Sequence, residues 1–500
     1  MSDSATPAGH AAPRLRRSLT LWDLILYGII VIQPVAPMSV FGVLSDRGRG
    51  HVVTTLLIAM VAMLFTAISY GRMARAYPSA GSAFTYVGQE INPALGYVTG
   101  WSMVMDYMLN PMICIIWCSQ QAHVFAPGVS YWAWAIFFGA VFTMLNIQGI
   151  KTSARVNTAL AAGMGAVVAI FFVAAARYIF GHPHAEAGFF TRPFYDPALW
   201  HTKDVLAATS IAVLGYIGFD GISTLSEEAE NPRRNILLAT VLTCFVIGIL
   251  SALEVYAAQL VWPASEPFPN TDTAFTFVAG RAWLPMFAIV GFTLLVANFG
   301  SGMGAQIGAA RLLYGMGRSG ALPKSFFGIV DPKRHVPRNN VFFVGAIALV
   351  GALLVTVPSH RETVCGGTLF CYGLGAEMLN FGALIAFMGV NMAAFVRYDV
   401  REGGKNPLAP LVLVAAVIGL VLWPGANQFM YIAAGLLLAA LAVWTPPLAG
   451  FTVCFFLWKN LSWWAWIVGG AWMLAGIAFG FWKTKGFRSE LVNFDLPPEE

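Results

Sequence analysis

A chain of 500 residues that is 58% apolar and only 11% charged, with a mean hydropathy of +0.69, is too greasy for a soluble globular protein and reads as a polytopic membrane protein. The formal net charge of +5 needs no nucleic acid to explain it, because the basic residues sit in the connections between apolar runs and act as a topology signal. Residues 1–20 are polar and basic (Arg14, Arg16, Arg17) and the first apolar run is long enough to stay in a bilayer, so no cleavable signal peptide is expected.

At about 20 residues per crossing, the apolar runs predict spans at residues 21–43, 53–74, 94–125, 131–147, 157–180, 205–225, 235–261, 284–313, 340–357 and 374–395. Four more apolar pieces follow at 408–423, 429–444, 448–458 and 462–482; some are short, so the chain has fourteen or twelve crossings. Of the 29 Lys and Arg residues, 21 fall in the N-terminal tail and the connections on its side and 8 on the other, which places both termini in the cytoplasm. Both crossing counts are even, as that orientation requires. Cys114, Cys118, Cys244 and Cys454 lie in apolar runs and read as small buried thiols, whereas Cys365 and Cys371 share one short connection where a bridge is feasible.

Two spans cannot be regular helices. In the first, Gln33-Pro34-Val35-Ala36-Pro37 places two prolines mid-membrane, and each removes a backbone donor and clashes with the carbonyl one turn earlier. In the sixth, Gly218 and Gly221 flank Phe219 and Asp220, where a carboxylate costs about 2.5 to 3.5 kcal/mol at a helix centre unless something polar or charged meets it. Prolines and glycines are common in membrane helices, so either break alone is weak. Interrupted spans at corresponding positions of two halves, with an acid at one of them, point to the substrate site of a secondary transporter.

The stretch from Gly218-Phe219-Asp220-Gly221 through Ser226-Glu227-Glu228-Ala229-Glu230-Asn231-Pro232-Arg233-Arg234-Asn235 resembles the sixth-helix signature of the amino acid-polyamine-organocation superfamily. Tyr77-Pro78-Ser79-Ala80-Gly81 after the second span, Gly100-Trp101 with Asp106-Tyr107 in the third, and Arg311-Leu312-Leu313-Tyr314-Gly315 after the eighth agree with it, and the combination is similar to the bacterial putrescine-importer group. The resemblance implies an all-α fold with a LeuT-like five-plus-five inverted repeat over residues 21–397, discontinuous helices one and six, alternating access, and a substrate held between helices one, three, six, eight and ten. It leaves 398–482 as accessory C-terminal transmembrane helices, including an added hairpin near 408–444, and 1–20 and 483–500 as cytoplasmic tails. It also implies a bacterial inner-membrane location.

Amino-acid members of that superfamily usually carry a Gly-Ser-Gly-like run in the first helix, whose N–H groups bind the substrate carboxylate. The two prolines here delete donors, so an amine without a carboxylate, such as putrescine or ethanolamine, fits better than an amino acid, the nearest rival. The expected substrate-binding residues are Gln33, Pro34, Asp106, Tyr107, Tyr216, Gly218, Phe219 and Asp220, the acids pairing with a cation and the rings offering cation–π contact. Each has a plainer reading: Asp220 as a cap of the second half-helix, Asp106 as a bridge between helices, the aromatics as interior packing. Glu254 and Glu377 have weaker claims, since they lie near helix ends or pack internally.

Proton-coupled amino-acid relatives often place a lysine in helix five; the matching position here is Met164, so coupling falls to Asp220 or another buried carboxylate. Asn298 and Ser301 are the candidate oxygen donors for sodium instead, although a membrane serine more often bonds its own i−4 carbonyl. Glu227, Glu228 and Arg233 form a cytoplasmic turn able to latch the inward gate, with an inert charged loop as the alternative. Gly302-Met303-Gly304 follows no strand and is not a nucleotide loop, and His182-Pro183-His184 lacks a third metal ligand, so no cofactor, metal or nucleic-acid partner is expected. The partners expected are a small amine or amino acid, a proton or sodium ion, and the lipid bilayer. No intramembrane catalytic set supports an enzyme, and breaks in single, non-repeated helices do not make a channel filter.

Overall fold

The protein is described by a computed structural model at residues 19–77, 82–148, 154–182, 188–226, 229–318, 322–334, 336–356, 370–404, 406–423, 425, 428–484 and 486. In chain order its α-helices are α1 (Leu21–Ile32), α2 (Ala36–Arg47), α3 (Val52–Ala76), α4 (Ser82–Glu90), α5 (Pro93–Phe125), α6 (Tyr131–Gln148), α7 (Ala154–Gly181), α8 (Thr202–Ala212), α9 (Pro232–Val261), α10 (Ala274–Ala282), α11 (Pro285–Arg318), α12 (Lys324–Phe327), α13 (Arg338–Leu354), α14 (Tyr372–Ala394), α15 (Leu408–Leu422), α16 (Gln428–Trp444), α17 (Pro446–Lys459) and α18 (Trp463–Lys483). Every predicted span corresponds to a helix or a broken pair. Among the described residues, eight helices are long and apolar enough to cross a membrane, nine spans if the bent pair α1–α2 is one, and α13, α15 and α16 are shorter apolar helices. The fold is that of an all-α polytopic membrane protein.

Both predicted interruptions are present, and local chemistry makes them. Thr20 caps α1 in a reciprocal pair with Asp23, the Thr20 N–H donating to Asp23 Oδ2 at 2.9 Å. The helix stops at Gln33, whose φ of 68° lies in the left-handed region, and Pro34 follows. Pro37 then falls in the first turn of α2, where a missing donor costs nothing, and the chain turns by 46° between the two helices. The sixth span is α8, a tight 3-10 turn at Val213–Gly215, a gap, and a 3-10 segment at Phe219–Leu225.

Glycine lets the two breaks touch. Gly218 has φ of 121°, and a Cβ there would stand 2.9 Å from Val31 Cγ1 and 3.3 Å from Ile32 Cγ1. Gly28 makes the reciprocal approach, since a Cβ on it would lie 2.6 Å from Ile222 Cδ1. The chain entering α1 also bridges the loop after the 3-10 segment, where Glu230 N–H donates to Leu19 O at 2.8 Å.

Around this pair, α3 packs along α9, while α5 packs along α11 and α14. The α15–α16 hairpin buries Val414, Val417, Ala434 and Leu441 in a cluster of its own against α17 and the end of α14. At the other end of α2, Phe41 meets Phe268 and Phe275 edge-on at 5.7 and 5.6 Å, so α10 and the segment before it cover that side. The helices α4, α10 and α12 are much shorter than a membrane crossing and correspond to none of the predicted spans. Cys114, Cys118, Cys244 and Cys454 are free and buried as expected; Cys371 is disulfide-bonded, and Cys365 lies outside the described residues.

A buried charge ties α4 to the end of α14. Glu90, its side chain fully buried, receives Arg397 Nη1 at 2.6 Å, Arg401 Nη1 at 2.7 Å and the Tyr77 hydroxyl at 2.7 Å. The two arginines come from the π-helical turn Phe395–Arg401 that continues α14. Removing one member of such a buried set strands the others without compensation. Glu90→Ala should therefore lower the unfolding free energy in detergent by about 3 kcal/mol, the low end of the range because the arginines are partly exposed; an unchanged denaturation midpoint would show that the clamp is not structural.

Candidate functional site

Between the two breaks lies a cavity of about 500 Å³. Its wall is built by α1, α2, α5, α7, the interruption of the sixth span and α11, with Tyr372 contributed by the start of α14. Of the residues singled out in the sequence, Gln33, Pro34, Asp106, Tyr107, Gly218, Asp220, Asn298 and Ser301 line it. Met164 also lines it.

Other candidates lie elsewhere. Tyr216 is fully buried and donates its hydroxyl to Leu56 O at 2.9 Å, and Phe219 packs against Tyr70 and Phe387 at 5.7 and 5.5 Å between ring centroids. Glu377 pairs with Arg47 at 3.4 Å and accepts Ser462 N–H at 3.2 Å. Glu254 is fully buried in α9, away from the cavity wall. Arg233 is exposed in the first turn of α9, while Glu227 and Glu228 lie outside the described residues.

The electrostatic character of the cavity is one-sided. Asp106 and Asp220 are 6% and 5% exposed and line the same cavity, with Tyr107 beside them in its wall. No Lys, Arg or His is among the described lining residues. Asp220 also accepts Gly218 N–H at Oδ1 at 3.1 Å, so it lines the cavity and bonds the backbone of its own break. Asp106 projects from α5 beside Tyr107, with Asn110 one turn further along.

Backbone donors at the first break are largely spent. Across residues 33–38, Pro34 and Pro37 have no N–H, and the N–H groups of Gln33, Ala36 and Met38 donate to Ile29 O, Gln33 O and Val35 O at 3.0 to 3.1 Å. Side-chain amides occupy nearby oxygens: Gln33 Nε2 donates to Ala297 O at 2.9 Å, and Asn298 Nδ2 to Ser39 Oγ at 3.0 Å and Leu294 O at 2.9 Å. The Cys114 thiol donates to Asn110 Oδ1 at 3.3 Å, and Ser301 lines the cavity beside them.

Among the polar lining residues not singled out from the sequence are Asn110, Tyr27 and Tyr372. Asn110 stands at i+4 from Asp106, so helical spacing alone could have placed it on the same face. The Tyr27 hydroxyl comes 3.7 Å from where a Cβ on Gly221 would stand, a proximity that only the contact of the two breaks creates. Tyr372 begins its helix at the edge of the apolar run, where no intramembrane signal marks it.

Comparison with known proteins agrees with this architecture. A family profile described as amino acid permease matches residues 36–492. The low-affinity putrescine importer PlaP of Escherichia coli K12 is 31% identical over 499 residues, covering 99% of this chain and 99% of its own. The branched-chain amino acid permease BcaP of Bacillus subtilis 168 is 26% identical over 438 residues, covering 81% of this chain and 86% of its own. The methylthioribose transporter of the same bacterium is 25% identical over 483 residues, with 89% and 94% covered. With the family profile spanning most of the sequence and one relative matched end to end, the chain belongs to the amino acid permease family of the amino acid-polyamine-organocation superfamily.

Proposed function

We propose that the protein is a secondary active transporter that imports a small organic amine, putrescine or an ethanolamine-like cation, coupled to protons and working by alternating access. The observation that carries this is the cavity at the paired breaks, which holds two acids and no described basic residue and offers few free backbone donors for a carboxylate. A cation desolvated there meets Asp106 and Asp220, with Tyr107 and the other tyrosines of the wall available to its methylene groups and charge. An amino acid would bring its own carboxylate into the same field. The end-to-end similarity to a putrescine importer supports the amine over the amino acid.

In this reading residues 21–397 form the ten-helix transport core and 398–482 an accessory layer, with both termini in the cytoplasm of a bacterial cell. The lining runs from mid-span toward Tyr27 on α1 and Ala305 on α11, while Phe41, Phe268 and Phe275 cover the other end, which corresponds to an inward-facing state. Arg233, with Glu227 and Glu228 shortly before it in the sequence, is assigned to the inward gate. Proton coupling is favoured over sodium because two carboxylates able to carry a proton, Asp106 and Asp220, line the cavity.

Reconstituted into vesicles, the protein should take up radiolabelled putrescine saturably and against its gradient when an inward proton gradient is imposed, and a hundredfold excess of a neutral amino acid should compete weakly. Accumulation of carboxylate-bearing compounds alone would overturn the amine assignment. Asp220→Asn should abolish the pH dependence of uptake. Asp272, in the covering segment before α10, has its carboxyl pushed up to about 6 by burial, so the comparison belongs between about pH 7 and pH 8.5, where that group is ionised. A pH profile unchanged by the substitution would remove Asp220 from the coupling role.

A further inference from the structure

A second crevice, of about 460 Å³, lies apart from the transport cavity, between the segment that follows α11 and the last turn of α18. It is lined by Leu322, Pro323, Lys324, Phe479, Trp482 and Lys483. Two lysines therefore stand over an otherwise apolar floor with no acid in the wall, and neither lysine forms an ion pair among the described residues. The Lys483 ammonium sits 5.9 Å from the centroid of the Phe479 ring.

The position of the crevice relative to a bilayer follows from α18 itself. Trp463 and Trp482, 74% and 77% exposed, bracket its exposed apolar face. They are about 28 Å apart along a helix, close to the roughly 30 Å of a bilayer's hydrocarbon core, and tryptophans gather at its two boundaries. Lys483 is the next residue after that boundary, so the crevice opens where acyl chains meet headgroups, on the side of the protein that carries most of its Lys and Arg.

We propose that this crevice binds one anionic phospholipid, with its phosphate between Lys324 and Lys483 and the first carbons of its chains against Leu322, Phe479 and Trp482. Charge complementarity and an apolar floor at the interface are the features that separate such a site from a soluble-anion site, which needs no floor. The occupant would tie the segment after α11 to the accessory helix α18. Leu322 packs in one cluster with Trp472 of α18 and with Tyr107, which lines the transport cavity, so the lipid would brace the wall behind Tyr107.

The test uses the full-length protein and two lipids, phosphatidylglycerol and phosphatidylcholine, with native mass spectrometry to count retained molecules and a Lys324→Ala/Lys483→Ala variant as the comparison. The wild type should retain one more phosphatidylglycerol than the variant and bind it on the order of tenfold more tightly, with no such difference for phosphatidylcholine. Equal retention by both proteins would overturn the proposal. So would protection by inorganic phosphate equal to that by the lipid, or a site that takes lipid only after residues 487–500, with Glu490, Asp495, Glu499 and Glu500, are removed. The variant should keep the thermal stability of the wild type in neutral detergent, which separates lost lipid from lost fold.

Discussion

Two carboxylates buried in an apolar bundle without a described basic residue beside them are the constraint around which this structure is organised. A charge at the centre of a membrane helix is expensive unless polar groups or an opposite charge meet it. The sixth span supplies part of that by unwinding, so that Gly218 N–H reaches Asp220 at 3.1 Å. The rest is left to whatever enters the cavity between the breaks. In the proposed reading a small cation or protons complete the site, which is the physical basis for reading it as a carrier.

The remainder of the bundle keeps that arrangement in place. Gly28 and Gly218 allow the broken spans to approach where side chains would collide, and the Leu19–Ala229 bridge joins the chain ends that lead into and out of them. Farther out, Glu90 and its two arginines fasten α4 to the irregular end of α14, and the α15–α16 hairpin adds a separately packed layer. Firm elements thus surround a pair of weakened ones, the division that alternating access requires: a fixed frame and a few segments able to move.

Much of this was legible in the sequence because bilayer thickness and residue chemistry act directly on the chain. The positions of Pro34, Pro37, Gly218 and Gly221 marked both breaks, and every other apolar run became a helix. Asp106, Tyr107, Asp220, Asn298 and Ser301 reached the cavity as residues of polar type in otherwise apolar spans. What stayed hidden depended on three-dimensional packing. Tyr216 and Phe219 flank the break in sequence yet point into the neighbouring helices, because a 3-10 turn and an irregular gap rotate side chains differently from an α-helix. Amphipathic α4 and α10 are too short to register as crossings, and the pairing of Glu90 with Arg397 and Arg401 joins residues more than 300 positions apart.

The central claim is that negative charge in this cavity, rather than its shape, selects the solute. Calorimetric binding of 1,4-diaminobutane and of 1,4-butanediol, which share a chain length and differ in charge, to the wild type and to an Asp106→Asn/Asp220→Asn variant addresses it directly. The account predicts heat of binding for the diamine with the wild type only, and none for the diol with either protein. Equal binding of the diamine by the neutralised variant would contradict it.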